Sequence, residues 1–185
     1  MGIVVLGIGN LLLGDEGCGV HALHALRAES ARCGPDVTFV DGGTLSFDLC
    51  AIVEATDALI VLDAANLGAS PGSVRCLEGR ALDRFLETGV LASVHEVALA
   101  DVLAIAELNG RLPARRALVG VQPQRFDLGI ALTDGVAGAI PRMCDEARRL
   151  LKRWRTEPPS AAAQATHTDG SPDGAKHVPV QEETR

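Results

Sequence analysis

The sequence predicts an α/β fold: a three-layer sandwich with a mostly parallel, twisted sheet and helices on both faces. Short runs rich in Val, Ile and Leu, bounded by Gly, Asp or Pro, occur at GIVVLG, VTFVDGG, ALIVLDA and ALVGVQP. Such runs are typical of strands that are buried on both faces. Helical patterns alternate with them, and that alternation favours a parallel sheet. Because ligands bind beyond the carboxyl ends of parallel strands, functional residues are expected directly after each strand.

The helices are predicted from apolar residues at helical spacing. After Gly17, apolar residues recur at every third position up to Leu26. A second pattern of this kind covers residues 99–106. A last helix is expected from about Gly138 to Trp154, where a basic stretch suits a helix C-terminus. The segment PGSVRCLEG is a further strand candidate, at an edge of the sheet.

Composition divides the chain into a folded domain, residues 1–156, and a tail, residues 157–185. The tail is rich in Pro, Ser, Ala, Gly and Thr and has almost no large apolar residues. It is predicted to be disordered, because burial in such a segment cannot offset the entropy cost of ordering it. The net charge of −7 argues against a nucleic-acid partner.

The cysteines indicate a reducing compartment. They are odd in number and form no CxxC pair, which argues against a disulfide framework and a zinc ribbon. The first ten residues have no basic residue before their apolar run, so no secretory signal is expected, and the run is too short to cross a bilayer. A cytoplasmic location without a membrane partner is therefore predicted. The five cysteines are Cys18, Cys33, Cys50, Cys76 and Cys144.

An acidic pair follows the first strand, in GIGNLLLGDEG. Asp15 and Glu16 are expected in the first helical turn, where the helix dipole keeps a carboxylate ionised. The simplest interpretation of the pair is a helix cap. A dinucleotide-binding loop is disfavoured, because Leu12 stands where that fingerprint requires a glycine.

Carboxylates also end the second and third strands. Asp41 begins the sequence DGGT, which could hold a ribose hydroxyl, allow close approach of another chain, or simply form a turn with a cap at Thr44. Asp63 follows five apolar residues in ALIVLDA. Since an uncompensated carboxylate is costly to desolvate, Asp63 either caps the next segment or faces an open cleft, and its position favours the cleft.

His95 is the candidate nitrogen ligand. Ser93 and Glu96 have the spacing of a capping box, which puts His95 in the first turn of a helix. The positive helix end disfavours imidazolium, so His95 should be neutral and able to bind a metal. With Glu16 and Asp63 it would form an open site for a divalent cation such as nickel or zinc. The order of these residues in the chain does not show that they converge.

These segments resemble the hydrogenase maturation proteases, which process the large subunits of nickel–iron hydrogenases. The resemblance covers residues 1 to about 155 and rests on GIGNLLLGDEGCG, DGGT, VLDA, SVHE and GVQPQRFDLGIALTDGV. It implies an α/β sandwich and makes residues 1–156 the protease domain. It also implies that Glu16, Asp63 and His95 are metal ligands. A substrate-recognition loop matches Asp41, Gly42, Gly43 and Thr44.

The resemblance further implies an endopeptidase, aspartic-type by family convention, that removes the C-terminal extension of a nickel-loaded large-subunit precursor. The divalent metal would be nickel supplied by the substrate, so that metal binding tests whether the precursor is correctly loaded. Asp63 or Glu16 would be the catalytic base. A monomer is expected.

Two other classes of function stay open from the sequence. One is a non-catalytic nucleotide- or metal-binding module that uses the same strand ends. The other is a chaperone-like protein that recognises the nickel-loaded subunit without cutting it. Tight binding of an adenine nucleotide would favour the first, and binding of the precursor without cleavage would favour the second.

Overall fold

A computed structural model describes residues 2–44, 48–87 and 94–157, without the side chains of residues 94–98. The strands are β1 (Ile3–Ile8), β2 (Val37–Gly43), β3 (Ala58–Ala64), β4 (Val74–Glu78) and β5 (Arg115–Val121). The α-helices are α1 (Cys18–Ala28), α2 (Asp48–Glu54), α3 (Arg80–Glu87), α4 (Val94–Leu108), α5 (Asp134–Ala137) and α6 (Ile140–Thr156). Short 3-10 turns occupy Gly14–Gly17 and Ser30–Arg32.

The strands form one five-stranded sheet in the order β2-β1-β3-β5-β4. β1 pairs in parallel with both β2 and β3, and β3 pairs in parallel with β5. β4 runs antiparallel to β5 at one edge. The predicted mostly parallel sheet is confirmed, and the segment PGSVRCLEG supplies the edge strand.

Helices cover both faces of the sheet, as the sequence predicts. α1 and α6 pack on one face, whereas α2, α3 and α4 lie on the other. Successive residues of the central strands alternate between the two cores: Val5 and Ile60 belong to the first, Leu6 and Val61 to the second. Since both faces of β1 and β3 are buried, these strands have continuous apolar sequences without polar alternation.

The connection after β1 leads toward one edge of the sheet, and the connection after β3 leads toward the other. α1 leads from β1 to β2 on one side, and α2 leads back over the other face to β3. Gly19, at the start of α1, lies on both strand ends: a Cβ there would be 2.3 Å from the Ile8 carbonyl oxygen and 2.1 Å from that of Leu62. Connections that leave adjacent parallel strands in opposite directions open a crevice at their carboxyl ends, where ligands bind.

At the amino edge of the sheet, opposite this crevice, arginines of β5 and α6 hold the end of α6 against the strands. Arg115, the first residue of β5, donates a hydrogen bond to the carbonyl oxygen of Trp154. Arg155 forms an ion pair with Asp36, which directly precedes β2. α6 therefore ends at the amino edge of the sheet, opposite the crevice.

Several observed boundaries differ from the predicted ones by two or three residues. α1 begins at Cys18, and the acidic pair lies in the preceding 3-10 turn. The last helix spans Ile140–Thr156 rather than 138–154. Ser93 of the predicted capping box and nearly all of the predicted tail, from residue 158, lie outside the described residues. In the part of the chain that is described, no helix has the length and apolar character to cross a membrane.

Candidate active site at the sheet switch point

Glu16 lies directly over the end of β1. Its side chain is 9% exposed and belongs to the 3-10 turn Gly14–Gly17. The backbone of Gly9 touches that of Glu16, since a Cβ at Gly9 would be 1.9 Å from the Glu16 carbonyl oxygen. Gly9 also has a positive φ of 136°, a conformation that a side chain would strain. Glycine at this position therefore allows the chain to turn and bring Glu16 back onto the strand.

Asp63 is the penultimate residue of β3, on the adjacent strand. Its Oδ1 accepts a hydrogen bond of 2.7 Å from the backbone N–H of Ala64. The expectation that Asp63 faces an open cleft is wrong, because the side chain is only 1% exposed. The 3-10 turn packs against β3, and Gly19 lies on the neighbouring Leu62, so the start of α1 covers this strand end.

Asp15 joins two loops and does not cap a helix. No side-chain cap bond is present at the 3-10 turn or at α1. Its buried carboxylate accepts hydrogen bonds from the N–H groups of Gln124 (2.9 Å), Arg125 (3.3 Å) and Thr133 (2.7 Å), and from the Thr133 hydroxyl (2.9 Å). Asp15 thus holds both ends of the segment that follows β5. The helix-cap interpretation is wrong for this residue.

The backbones of the two loops also pair with each other. The N–H of Gly14 donates to the Gly129 carbonyl oxygen at 2.7 Å, and the N–H of Gly129 donates to that of Leu12 at 2.9 Å. Sequence reasoning missed this contact, although a signal was present. The two loops belong to the two longest segments of the family resemblance, and most of each segment lies outside the strands.

The predicted recognition loop is the end of β2 and is attached to β1. Gly9 donates a backbone hydrogen bond to the Gly43 carbonyl oxygen at 2.8 Å. Asp41 Oδ1 accepts a hydrogen bond from the N–H of Gly43 at 3.0 Å, and its Oδ2 lies 3.7 Å from His24 Nε2. Thr44 is exposed in the following turn. This loop therefore lies beside the end of β1, and His24, to which the sequence assigns no role, faces its aspartate.

A sequence model of the hydrogenase maturation proteases matches residues 20–149. The chain belongs to the hydrogenase maturation protease family. It is 38% identical over 153 residues to the hydrogenase expression/formation protein HupD of Rhizobium leguminosarum bv. viciae, across 82% of this chain and 75% of that protein. It is 34% identical over 159 residues to the hydrogenase 2 maturation protease of Escherichia coli, across 85% and 94% of the two chains.

Solved structures of this family have the same fold. The hydrogenase maturating endopeptidase HybD of E. coli superposes with a TM-score of 0.75 at 31% identity, over 83% of this chain and 93% of that one. HybD from Thermococcus kodakarensis gives a TM-score of 0.69 at 25% identity, over 82% and 99%. The predicted α/β sandwich and endopeptidase are both confirmed.

In this maturation protease, the cysteine nearest to the site is not an activated nucleophile. Burial raises the pKa of the Cys18 thiol well above its ordinary value, and the carboxylates of Asp63 and Asp15 raise it further. A thiol attacks only as its thiolate, which this surrounding suppresses. Since both carboxylates raise the pKa of the same buried thiol, Asp63 and Asp15 both lie close to Cys18 at the start of α1. The raised pKa therefore argues against Cys18 as a nucleophile at this site.

His95 is the second residue of α4, and its side chain lies outside the description. α4 leads to the start of β5 at the amino edge, so its first turn lies toward the carboxyl edge, where Glu16 and Asp63 lie. Among the side chains that are described, no group of three or more His, Cys, Asp or Glu has a metal-binding arrangement. The ligand set of Glu16, Asp63 and His95 accordingly stays a prediction.

Proposed function

We propose that this endopeptidase removes the C-terminal extension from the nickel-loaded large-subunit precursor of a nickel–iron hydrogenase and so completes its metal centre. One observation carries the proposal: in a hydrogenase maturation protease, Glu16 and Asp63 lie on neighbouring strand ends at the switch point of the sheet. Both carboxylates lie at the edge of the sheet where ligands bind; because Asp63 is only 1% exposed, docking of the substrate would have to uncover it. That the substrate is cut at its C-terminal extension is implied by the family resemblance.

The nickel belongs to the substrate in this proposal. Glu16, Asp63 and His95 offer two carboxylate oxygens and one imidazole nitrogen, a donor set suited to a borderline divalent cation. The ligands come from three separate elements, and the nickel of a docked precursor would bind all three. Metal binding would then report correct loading before any bond is cut.

Chemistry at the site would use a carboxylate as general base. Nickel can polarise the scissile carbonyl or lower the pKa of a bound water. Asp63 or Glu16 then accepts the proton of the attacking water, as carboxylates do in general-base catalysis. With Asp63 as the base, the aspartic-type class of the enzyme would mean one basic aspartate rather than two aspartates that share a proton.

We also infer a cytoplasmic monomer. All five cysteines are free thiols, which suits a reducing compartment. Helices already cover both faces of the sheet among the described residues, so the sheet needs no second subunit to bury its faces.

A cleavage assay with point variants tests the proposal. Purified protein is mixed with the cognate precursor, nickel-loaded or nickel-free, and the C-terminal mass is followed. Asp63→Asn, Glu16→Gln and His95→Ala should each reduce cleavage by well over tenfold, since even changes behind the metal ligands often cost about 10–100-fold. Asp101→Asn, an exposed acid on α4, is the matched control and should cleave normally.

Each outcome has a distinct meaning. Cleavage of only the nickel-loaded precursor supports both the protease and the metal test. Cleavage regardless of nickel retains the protease and refutes the metal test. Normal cleavage by Asp63→Asn or His95→Ala refutes the site assignment. Binding of the cognate precursor without cleavage would favour the chaperone-like function instead.

A further inference from the structure

Large apolar side chains are exposed next to the candidate active site. Leu12 is 62% exposed, Phe126 37%, Leu128 88% and Ile130 73%. We call these four residues the apolar rim. Within the described residues, the remaining large apolar side chain that is exposed is Leu108, at the far end of α4. Exposed apolar residues that occur singly are normal, but a cluster of them marks a binding surface.

The apolar rim is one surface because its two loops are paired. Leu13 and Gly129 form a parallel β-bridge. Residues that flank a bridge in parallel pairing lie on a shared side, opposite to the bridged residues. Leu12 and Leu128 flank this bridge, and both are exposed. Leu12 precedes Glu16 by four residues, which limits their Cα separation to roughly 14 Å.

The position of the rim relative to Glu16 is fixed by the buried carboxylate of Asp15. It accepts hydrogen bonds from Gln124 and Arg125 before the rim residues and from Thr133 after them. Asp15 is also the residue next to Glu16. The loop is therefore held at both ends against the turn that carries the candidate catalytic glutamate, while its apolar side chains point into solvent.

We propose that the apolar rim binds large apolar side chains of the precursor's C-terminal extension, close to the scissile bond. This inference rests on the proposed function and names the part of the substrate that this surface recognises. The extension is favoured over the folded body of the subunit because the product must dissociate. Contacts to the extension are lost from the subunit when the bond is cut, whereas contacts to the body would hold the product.

The chain's own tail is a less suitable occupant. α6 ends at the amino edge of the sheet, where Arg115 binds the carbonyl oxygen of Trp154. Glu157, the last described residue, therefore lies at the edge opposite the rim, and the residues after it include almost no large apolar side chains. A second copy of the chain is another occupant, and the experiment below separates it from the extension.

The test measures cleavage kinetics of a rim variant and a matched control. Leu128→Ser with Ile130→Ser should raise KM for the nickel-loaded precursor at least tenfold and leave kcat within about twofold, because each buried aliphatic side chain contributes roughly tenfold in affinity. Leu108→Ser makes the same chemical change at an equally exposed leucine, 87% exposed, on the far edge. It should leave KM, kcat and Tm unchanged. A rim variant with the wild-type KM overturns the inference.

A changed substrate identifies the occupant. Replacing the large apolar residues of the extension by serine should raise the KM of the wild-type enzyme at least tenfold, and the rim variant should add no further increase. A further increase would show that the rim binds the folded body, which overturns the inference. A change in sedimentation of the rim variant would identify a second copy and overturn it as well. An extension without large apolar residues would also refute it.

Failure of this inference differs from failure of the proposed function. If the wild type cleaves and the rim variant has the same KM, the endopeptidase stands and the docking surface is refuted. If the wild type binds the uncleaved precursor without cutting it, and the rim variant binds at least tenfold more weakly, the docking surface stands alone. If the wild type neither binds nor cleaves, both are refuted.

Discussion

Replacing Asp15 with asparagine should loosen the loop after β5 and destabilise the domain. Oδ1 of Asp15 accepts one backbone N–H, from Thr133, and Oδ2 accepts those of Gln124 and Arg125. An asparagine has one oxygen and one NH₂ group, so in either orientation the NH₂ faces at least one backbone N–H. A buried donor is then left facing another donor.

The size of this effect follows from the bonds that are lost. An unsatisfied buried donor costs about 1–3 kcal/mol, and the remaining hydrogen bonds lose the charge that strengthens them, for a total of about 2–4 kcal/mol. Each kcal/mol lowers Tm by about 2–4 °C in a domain of this size, so Tm should fall by about 4–16 °C. Because the loop can open alone, part of the cost will appear as local opening and not as global unfolding.

Two measurements separate global unfolding of the domain from local opening of the loop. Thermal unfolding reports Tm, and limited trypsin digestion at the exposed Arg125 reports opening of the loop. Asp127→Asn, on the same loop but in an exposed ion pair with Arg125 at 3.4 Å, is the control and should change neither measurement appreciably. If Asp15→Asn keeps the wild-type Tm and the wild-type digestion rate, Asp15 does not hold the loop.

Three further outcomes are expected elsewhere in the fold. Gly19→Ala would place a methyl group 2.1 and 2.3 Å from two strand carbonyl oxygens. The variant should therefore give little soluble protein, or its free energy of unfolding should fall by about 3 kcal/mol or more. A stable, soluble variant would contradict this packing. Asp83→Asn removes the charged partner of Arg116, whose guanidinium donates hydrogen bonds to Asp83 at 2.8 and 2.5 Å. The free energy of unfolding, measured with denaturant, should fall by about 1.5–3 kcal/mol. An unchanged denaturation midpoint would count against a stabilising role of the pair. Burial, and then nearby carboxylates, raise the pKa of the Cys76 thiol to about 12 from its ordinary 9.0. From pH 9 upward the unfolded chain loses this proton while the folded chain keeps it, so stability falls as pH rises, and Tm between pH 8 and pH 10.5 should fall more for the wild type than for Cys76→Ala; equal falls would refute the shift.

The central strands could be predicted from sequence because they are buried on both faces. Continuous runs such as IVVLGI and ALIVLDA leave little alternative to a parallel sheet covered by helices. The order of the strands could not be predicted, because the apolar composition of a strand does not specify its neighbour. The boundaries of α6 differ by two residues from the prediction, since basic residues continue through the last turn and mark its end only approximately.

The site could be predicted in part, for reasons that differ between residues. The rule that ligands bind at the carboxyl ends of strands led to Glu16 and Asp63, which lie on adjacent strand ends. The same rule says nothing about coverage, so the burial of Asp63 under the start of α1 was missed. The role of Asp15 in holding the loop after β5 was missed because its partners are backbone N–H groups more than 100 residues away, and such donors leave no trace in the identities of the residues that carry them.

The acidic pair shows why neighbouring residues of the same type need not share a role. A 3-10 turn has about three residues per turn, so successive side chains point about 120° apart. Asp15 points to the loop after β5 and uses its carboxylate to hold Thr133 and Gln124. One turn thus places a structural carboxylate and a candidate catalytic one side by side, and the loop that the first one holds carries the proposed docking surface for the substrate of the second.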